Sequence, residues 1–97
     1  MKSGYKVFWT DHALTELKET YKYLEKEFTP HELKKLSVEI DFTINLISRN
    51  PELFPISDFK EVRRVVIKKY NTLYYRLKDN QIEILSFYNN RKRPKTE

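Results

Sequence analysis

The sequence predicts an α+β domain of order β-α-α-β-β-β, an antiparallel sheet with an N-terminal helical hairpin packed on one face. Three observations carry this reading. Two stretches in the first half repeat apolar residues at helical spacing. Three β-prone runs follow one another in the second half, across connections too short for parallel crossovers. The 97 residues hold no internal repeat or low-complexity segment, so one domain spans 1–97. A chain of this size buries roughly two thirds of the surface its unfolded form exposes, enough for a modest core.

Residues 5–9 (YKVFW) alternate Tyr5, Val7 and Trp9 against Lys6 and Phe8, which predicts a strand. Thr10 and Asp11 can each cap the following helix by accepting from a free backbone N–H of its first turn. That helix is expected over 11–26. Its stripe of Leu14, Leu17, Tyr21, Leu24 and Phe28 is spaced 3, 4, 3, 4. Thr29 with Glu32 three residues on is a capping box, and Pro30 sits at the first helical position, where its missing N–H is harmless. A second helix is expected over 30–49. Leu33, Leu36, Ile40, Ile44 and Ile47 form its stripe, widened by Val38, Phe42 and Leu46. Asn50-Pro51 ends it, because proline disfavours helical conformation in the residue before it. In the loop over 50–58, Leu53, Phe54 and Ile56 are expected to tuck against the core. Strands are expected over 61–67, 72–78 and 81–88. Asp79-Asn80 suits a tight hairpin because both residues tolerate positive φ.

Composition narrows the chemistry. There is no Cys, which excludes disulfides, thiolate nucleophiles and cysteine metal sites. His12 and His31 are far apart in helical text, so no metal site and no cofactor are expected. A single Gly argues against a phosphate-cradling loop. No apolar run approaches the roughly 20 residues that span a bilayer. The opening MKSGYKVFW lacks the apolar core of a signal peptide, so a cytoplasmic location is expected. Nineteen Lys+Arg against fourteen Asp+Glu give +5, which favours an anionic partner, nucleic acid or an acidic protein segment. Residues 90–97 carry four cations and are expected to form a basic tail, mobile toward its end.

Strand periodicity then places the cations. Leu73, Tyr75 and Leu77 share one face of their strand, and Tyr74, Arg76 and Lys78 the other. In the preceding strand Arg64 goes with Val62 and Val66, and Arg63 with Val65 and Ile67, so either arginine can face outward. In the last strand Ile82, Ile84, Ser86 and Tyr88 fall together, against Glu83, Leu85 and Phe87. Burying the Leu/Ile faces leaves Tyr74, Arg76 and one of Arg63 or Arg64 on an open face. Such a surface suits phosphate or base contacts, or capture of an acidic partner strand. The plainer alternative is a solvated face on which arginine stems cover tyrosine rings.

Nearly the whole chain resembles the RelE/ParE superfamily of toxins from type II toxin–antitoxin modules, and is closer to the ParE-like branch. The matching pieces are YKVFWTDHALTELKETYKYL, NPELFP, VRRVVIKKYNTLYYRLKDNQIEIL and FYNNRKRP. Within them stand Ala13 and Leu17, Arg63 opening a strand, Tyr75-Arg76 in the next, and Arg91 after the last. The resemblance implies a cytoplasmic toxin, of the kind linked to plasmid stabilization, that forms a hetero-oligomer with a cognate antitoxin. ParE-like members poison DNA gyrase; RelE-like members cleave mRNA on the ribosome. Arg63, Arg64, Tyr74, Arg76, Asn89, Arg91 and Arg93 become the candidate partner-binding residues. In a nuclease, Arg63, Arg76 and Arg91, with Tyr74 or Tyr88, would carry catalysis. Two positions depart from the nuclease pattern: Thr72 where many members have arginine, and Asn89 where histidine often closes the final strand. Asparagine is no acid or base at neutral pH, so the implied activity is inhibition of gyrase by binding. The alternatives are a ribosome-dependent endoribonuclease and a catalytically inactive nucleic-acid or protein-binding module.

Overall fold

A computed structural model describes residues 4–59 and 61–89. The elements are β1 (Lys6–Trp9), α1 (Asp11–Leu24), α2 (Pro30–Arg49), β2 (Arg63–Ile67), β3 (Asn71–Lys78) and β4 (Gln81–Asn89). They form in the expected order.

Both helices begin as their caps dictate. The Thr10 hydroxyl accepts from the Ala13 N–H at 3.2 Å and donates to the Ile84 carbonyl at 2.9 Å, so one residue caps α1 and ties it to β4. At α2 the capping box is complete: the Glu32 N–H donates to Thr29 Oγ1, and Glu32 Oε1 accepts from the Thr29 N–H. The N-terminus is stitched to the end of α2 by Tyr5 N–H to Ser48 O at 2.9 Å and Ser48 Oγ to Tyr5 O at 3.0 Å. Gly4 allows that approach. Its φ is +137°, and a Cβ there would lie 2.5 Å from Ser48 Oγ and 2.8 Å from Ser48 O.

The sheet runs β1-β4-β3-β2. β2, β3 and β4 pair antiparallel, as their short connections require. β1 adds to β4 in parallel, so the sheet as a whole is mixed. No short connection constrains β1 against β4, because nearly the whole chain lies between them. Asp79 and Asn80 both take positive φ in the β3–β4 turn, as expected. The β2–β3 turn does so with Lys68 and Lys69, at φ of 51° and 73°. Left-handed backbone costs a non-glycine residue roughly 1–2 kcal/mol.

The core lies between helices and sheet: Ala13, Leu24, Leu36, Ile40 and Ile47 against Val65, Ile67, Leu73, Tyr75, Ile82, Ile84 and Phe87. Three expectations are corrected. Of the expected α1 stripe, Leu17, Tyr21, Leu24 and Phe28 pack on the core, joined by Ala13 and Thr20, while Leu14 is 37% exposed. On α2, Val38 and Phe42 are 57% and 60% exposed and do not widen the core. In the loop only Phe54 packs inward; Leu53 and Ile56 are exposed. The backbone around Ile56 instead pairs along β2, with Arg64 N–H to Pro55 O at 3.1 Å and Ser57 N–H to Val62 O at 2.7 Å. No helix among the described residues is long and apolar enough to cross a membrane.

Candidate functional site

The sheet face away from the helices is built on β3. Leu73 and Tyr75 are fully buried, which turns Tyr74 and Arg76 outward. Their cross-strand partners complete the face: Arg64 and Ser86 flank Tyr74, Val66 and Tyr88 flank Thr72, and Glu83 stands opposite Arg76. The result is a groove of about 560 Å³ lined by Phe59, Val62, Tyr74, Leu85, Ser86 and Tyr88. It is apolar and aromatic, with arginines at its border rather than on its floor.

A β-bulge decides which β4 residues reach it. The register slips between Tyr74 and Tyr75, so Tyr74 faces Ser86 while Tyr75 faces Ile84, and Leu85 is the extra residue. Strict alternation would have put Ser86 and Tyr88 with Ile82 and Ile84. The bulge reverses the second half of the strand. Phe87 joins the core at 1% exposure, and Tyr88 lies on the groove. The bulge is held from α1. One carboxylate oxygen of Glu16 accepts from Ser86 Oγ at 2.7 Å and from the Phe87 N–H at 2.9 Å, and lies 3.3 Å from His12 Nε2.

The predicted site residues divide. Arg64 and Tyr74 are together on the open face. Arg76 is there too, but its Nε donates to Glu83 Oε1 at 2.7 Å, in an ion pair with both side chains partly buried. Arg63 faces the helix side with Val65 and Ile67, and its guanidinium donates to the Phe54 carbonyl at 2.8 Å. Asn89 is also turned inward. Its amide donates to Asn71 Oδ1, and Asn71 Nδ2 donates to the Ile67 carbonyl at 3.0 Å. Arg91 and Arg93 lie outside the described residues. Sequence reasoning missed Phe59, Val62 and Leu85 as groove wall, and Glu16 as the bulge clamp. The adjacent apolar pair Ile84-Leu85 is the one signal in the sequence that breaks the alternation.

Arg63 and Tyr75 together hold the loop that supplies Phe59. They are cross-strand partners, and the Tyr75 hydroxyl donates to the Pro51 carbonyl at 2.8 Å. Burial raises the Tyr75 pKa above its ordinary 10.0, with the Arg63 charge and a backbone hydrogen bond at Phe54 opposing the shift. Below pH 10 both folded and unfolded chains keep the proton, and the contribution to stability is intact. Above it the unfolded chain releases a proton that the fold retains, so stability falls until folded Tyr75 also ionises. The urea midpoint of the native protein is therefore expected to drop more steeply above pH 10 than that of Tyr75→Phe. Parallel curves would contradict it.

Two helices over one face of a four-stranded sheet, with an apolar groove on the other, define a small α+β domain. The same fold occurs in a chain of the chromosomal ParDE toxin–antitoxin system from P. aeruginosa. The TM-score is 0.74 at 18% identity, covering 91% of this chain and 98% of that one. No curated protein sequence matches. The family model of the ParE toxin of type II toxin–antitoxin systems, parDE, matches residues 7–94. The chain belongs to the ParE toxin family.

Proposed function

We infer that the protein is the toxin of a type II module, that it binds its cognate antitoxin through the open face, and that it inhibits a cytoplasmic target such as DNA gyrase. The groove supports this reading. A floor of Tyr74, Leu85 and Tyr88 offers apolar area to one side of an amphipathic segment. Arg64 at its border can pair bidentately with a partner carboxylate. Buried aromatic anchors ringed by charge are the usual source of affinity at protein interfaces.

RNA cleavage fits this face less well. Proton transfer at neutral pH works best with groups titrating near 7. The lining of the groove offers the phenols of Tyr74 and Tyr88 and no imidazole. The carboxylate on the face, Glu83, is bonded to Arg76, which leaves Arg76 less charge for a scissile phosphate.

Tightly regulated expression in a bacterium, with and without the neighbouring reading frame, tests the reading. Growth arrest relieved by that neighbour is expected. The purified protein should block supercoiling by gyrase and leave a reporter mRNA intact on ribosomes. Cleaved mRNA with unaffected gyrase would make it an endoribonuclease. Harmless overexpression would overturn the toxin reading.

A further inference from the structure

A second site lies on the other side of the sheet, where the bend between α1 and α2 meets the β2–β3 turn. It is a pocket of about 240 Å³. Leu24, Phe28, Leu33 and Leu36 make its walls. The hydrogen-bonded amides of Asn71 and Asn89, 4% and 5% exposed, belong to its lining, and Lys35 and Lys68 stand exposed at its rim. The acid at the rim, Glu32, accepts from the Thr29 N–H in the capping box, which fixes its position. Lys68 is held in place by a turn with two consecutive left-handed lysines. Strain of this kind tends to gather at functional positions. Tyr88 and Asn89, neighbours on β4, face the groove and the pocket respectively.

Size and charge select the occupant. Pockets that enclose a whole cofactor or drug-sized ligand run to roughly 300–1,000 Å³. This one is smaller and suits a single large side chain. Its apolar walls call for an aliphatic or aromatic group, and the two rim lysines call for carboxylates beside it. A second copy of this chain, with net charge +5, complements that rim poorly. We propose that the pocket between α1, α2 and the β2–β3 turn is a docking site for an acidic protein segment that inserts one large apolar side chain between Lys35 and Lys68. The proposal rests on the reading of the chain as a toxin that acts through protein partners, and adds a contact separate from the open face.

The probe is an acetylated glutamate-rich peptide with one central tryptophan, titrated into the ¹⁵N-labelled full chain. Amide shifts are expected at Leu33, Lys68 and Asn71. Replacing the tryptophan by alanine should weaken binding about 30-fold, as loss of an interface anchor does. Lys35→Glu with Lys68→Glu, both at exposed positions, should weaken it about tenfold. Arg64→Glu on the open face should change it less than twofold. The proposal is overturned if the charge reversals leave affinity unchanged, or if the shifts map to Tyr74 and Tyr88. It is equally overturned if indole-3-acetate competes at the peptide's own affinity, which would make the site one for small carboxylates. Concentration-dependent shifts without peptide would assign the pocket to a second copy. Pocket shifts on Arg91→Ala, with no peptide binding, would assign it to the chain's own C-terminal residues. Either result also refutes the proposal. Growth arrest and its relief by the neighbouring frame are scored separately, so failure here is distinguishable from failure of the toxin reading.

Discussion

Replacing Tyr74 and Tyr88 together by alanine is expected to weaken antitoxin binding a hundredfold or more while leaving the protein folded. Both rings line the groove, and neither belongs to the core. Truncating a central aromatic anchor costs about 2 kcal/mol or more, and two such losses exceed a hundredfold in affinity. Arg64→Ala should cost less, about 1 kcal/mol, because an exposed cation gains little from its pair. Titration calorimetry with the purified antitoxin measures both variants, and the thermal midpoint reports the fold. Native-like affinity in the double variant would move the antitoxin site off this face. Arg63→Ala offers a useful contrast. It removes the hydrogen bond to the Phe54 carbonyl, so it should lower stability first and affect binding only through the loop it positions.

Glu16→Ala is expected to be among the most destabilising substitutions of a residue outside the core, at about 2–4 kcal/mol. It strips the acceptor from the Phe87 N–H and the Ser86 hydroxyl together. Unmet donors in a partly buried site cost about 1–3 kcal/mol each. Glu16→Gln keeps an acceptor oxygen and should cost about 1 kcal/mol, the difference between a charge-assisted and a neutral bond. Urea unfolding gives both values. The same change should disturb the groove, because the bulge it clamps sets the direction of Tyr88. An alanine variant within about 0.5 kcal/mol of the native protein would show that the bulge holds without its clamp.

Much of the fold is legible in the chain. Thr29, Pro30 and Glu32 fix the start of α2, and Asn50-Pro51 its end, because capping and proline geometry act within a few residues. Asp79-Asn80 fixes the β3–β4 hairpin in the same local way. The candidate site was legible only in part. Tyr74 and Arg76 followed from the period of β3, where alternation is unbroken. Arg63 and Arg64 could not be separated, since each has apolar neighbours two residues away. Their assignment comes from pairing: Arg63 stands opposite buried Tyr75, and Arg64 opposite Tyr74. Val38 and Phe42 read as core from composition, yet they lie on the outer side of α2. A stripe wider than the available sheet cannot all be covered.

The sequence by itself determined the elements, their order, the antiparallel pairing of β2 with β3 and of β3 with β4, and the face of β3 that carries Tyr74 and Arg76. These depend on interactions between residues close along the chain. The tertiary structure decided where the cations of β2 and β3 are spent. Arg63 is bound to a loop carbonyl and Arg76 to Glu83, so the open face is more apolar than its arginine count suggests. It also decided the second half of β4. A single bulge, held by a glutamate 70 residues earlier in the chain, turns Phe87 in and Tyr88 out. Local periodicity cannot anticipate that, because the bulge depends on a partner supplied from another layer of the fold.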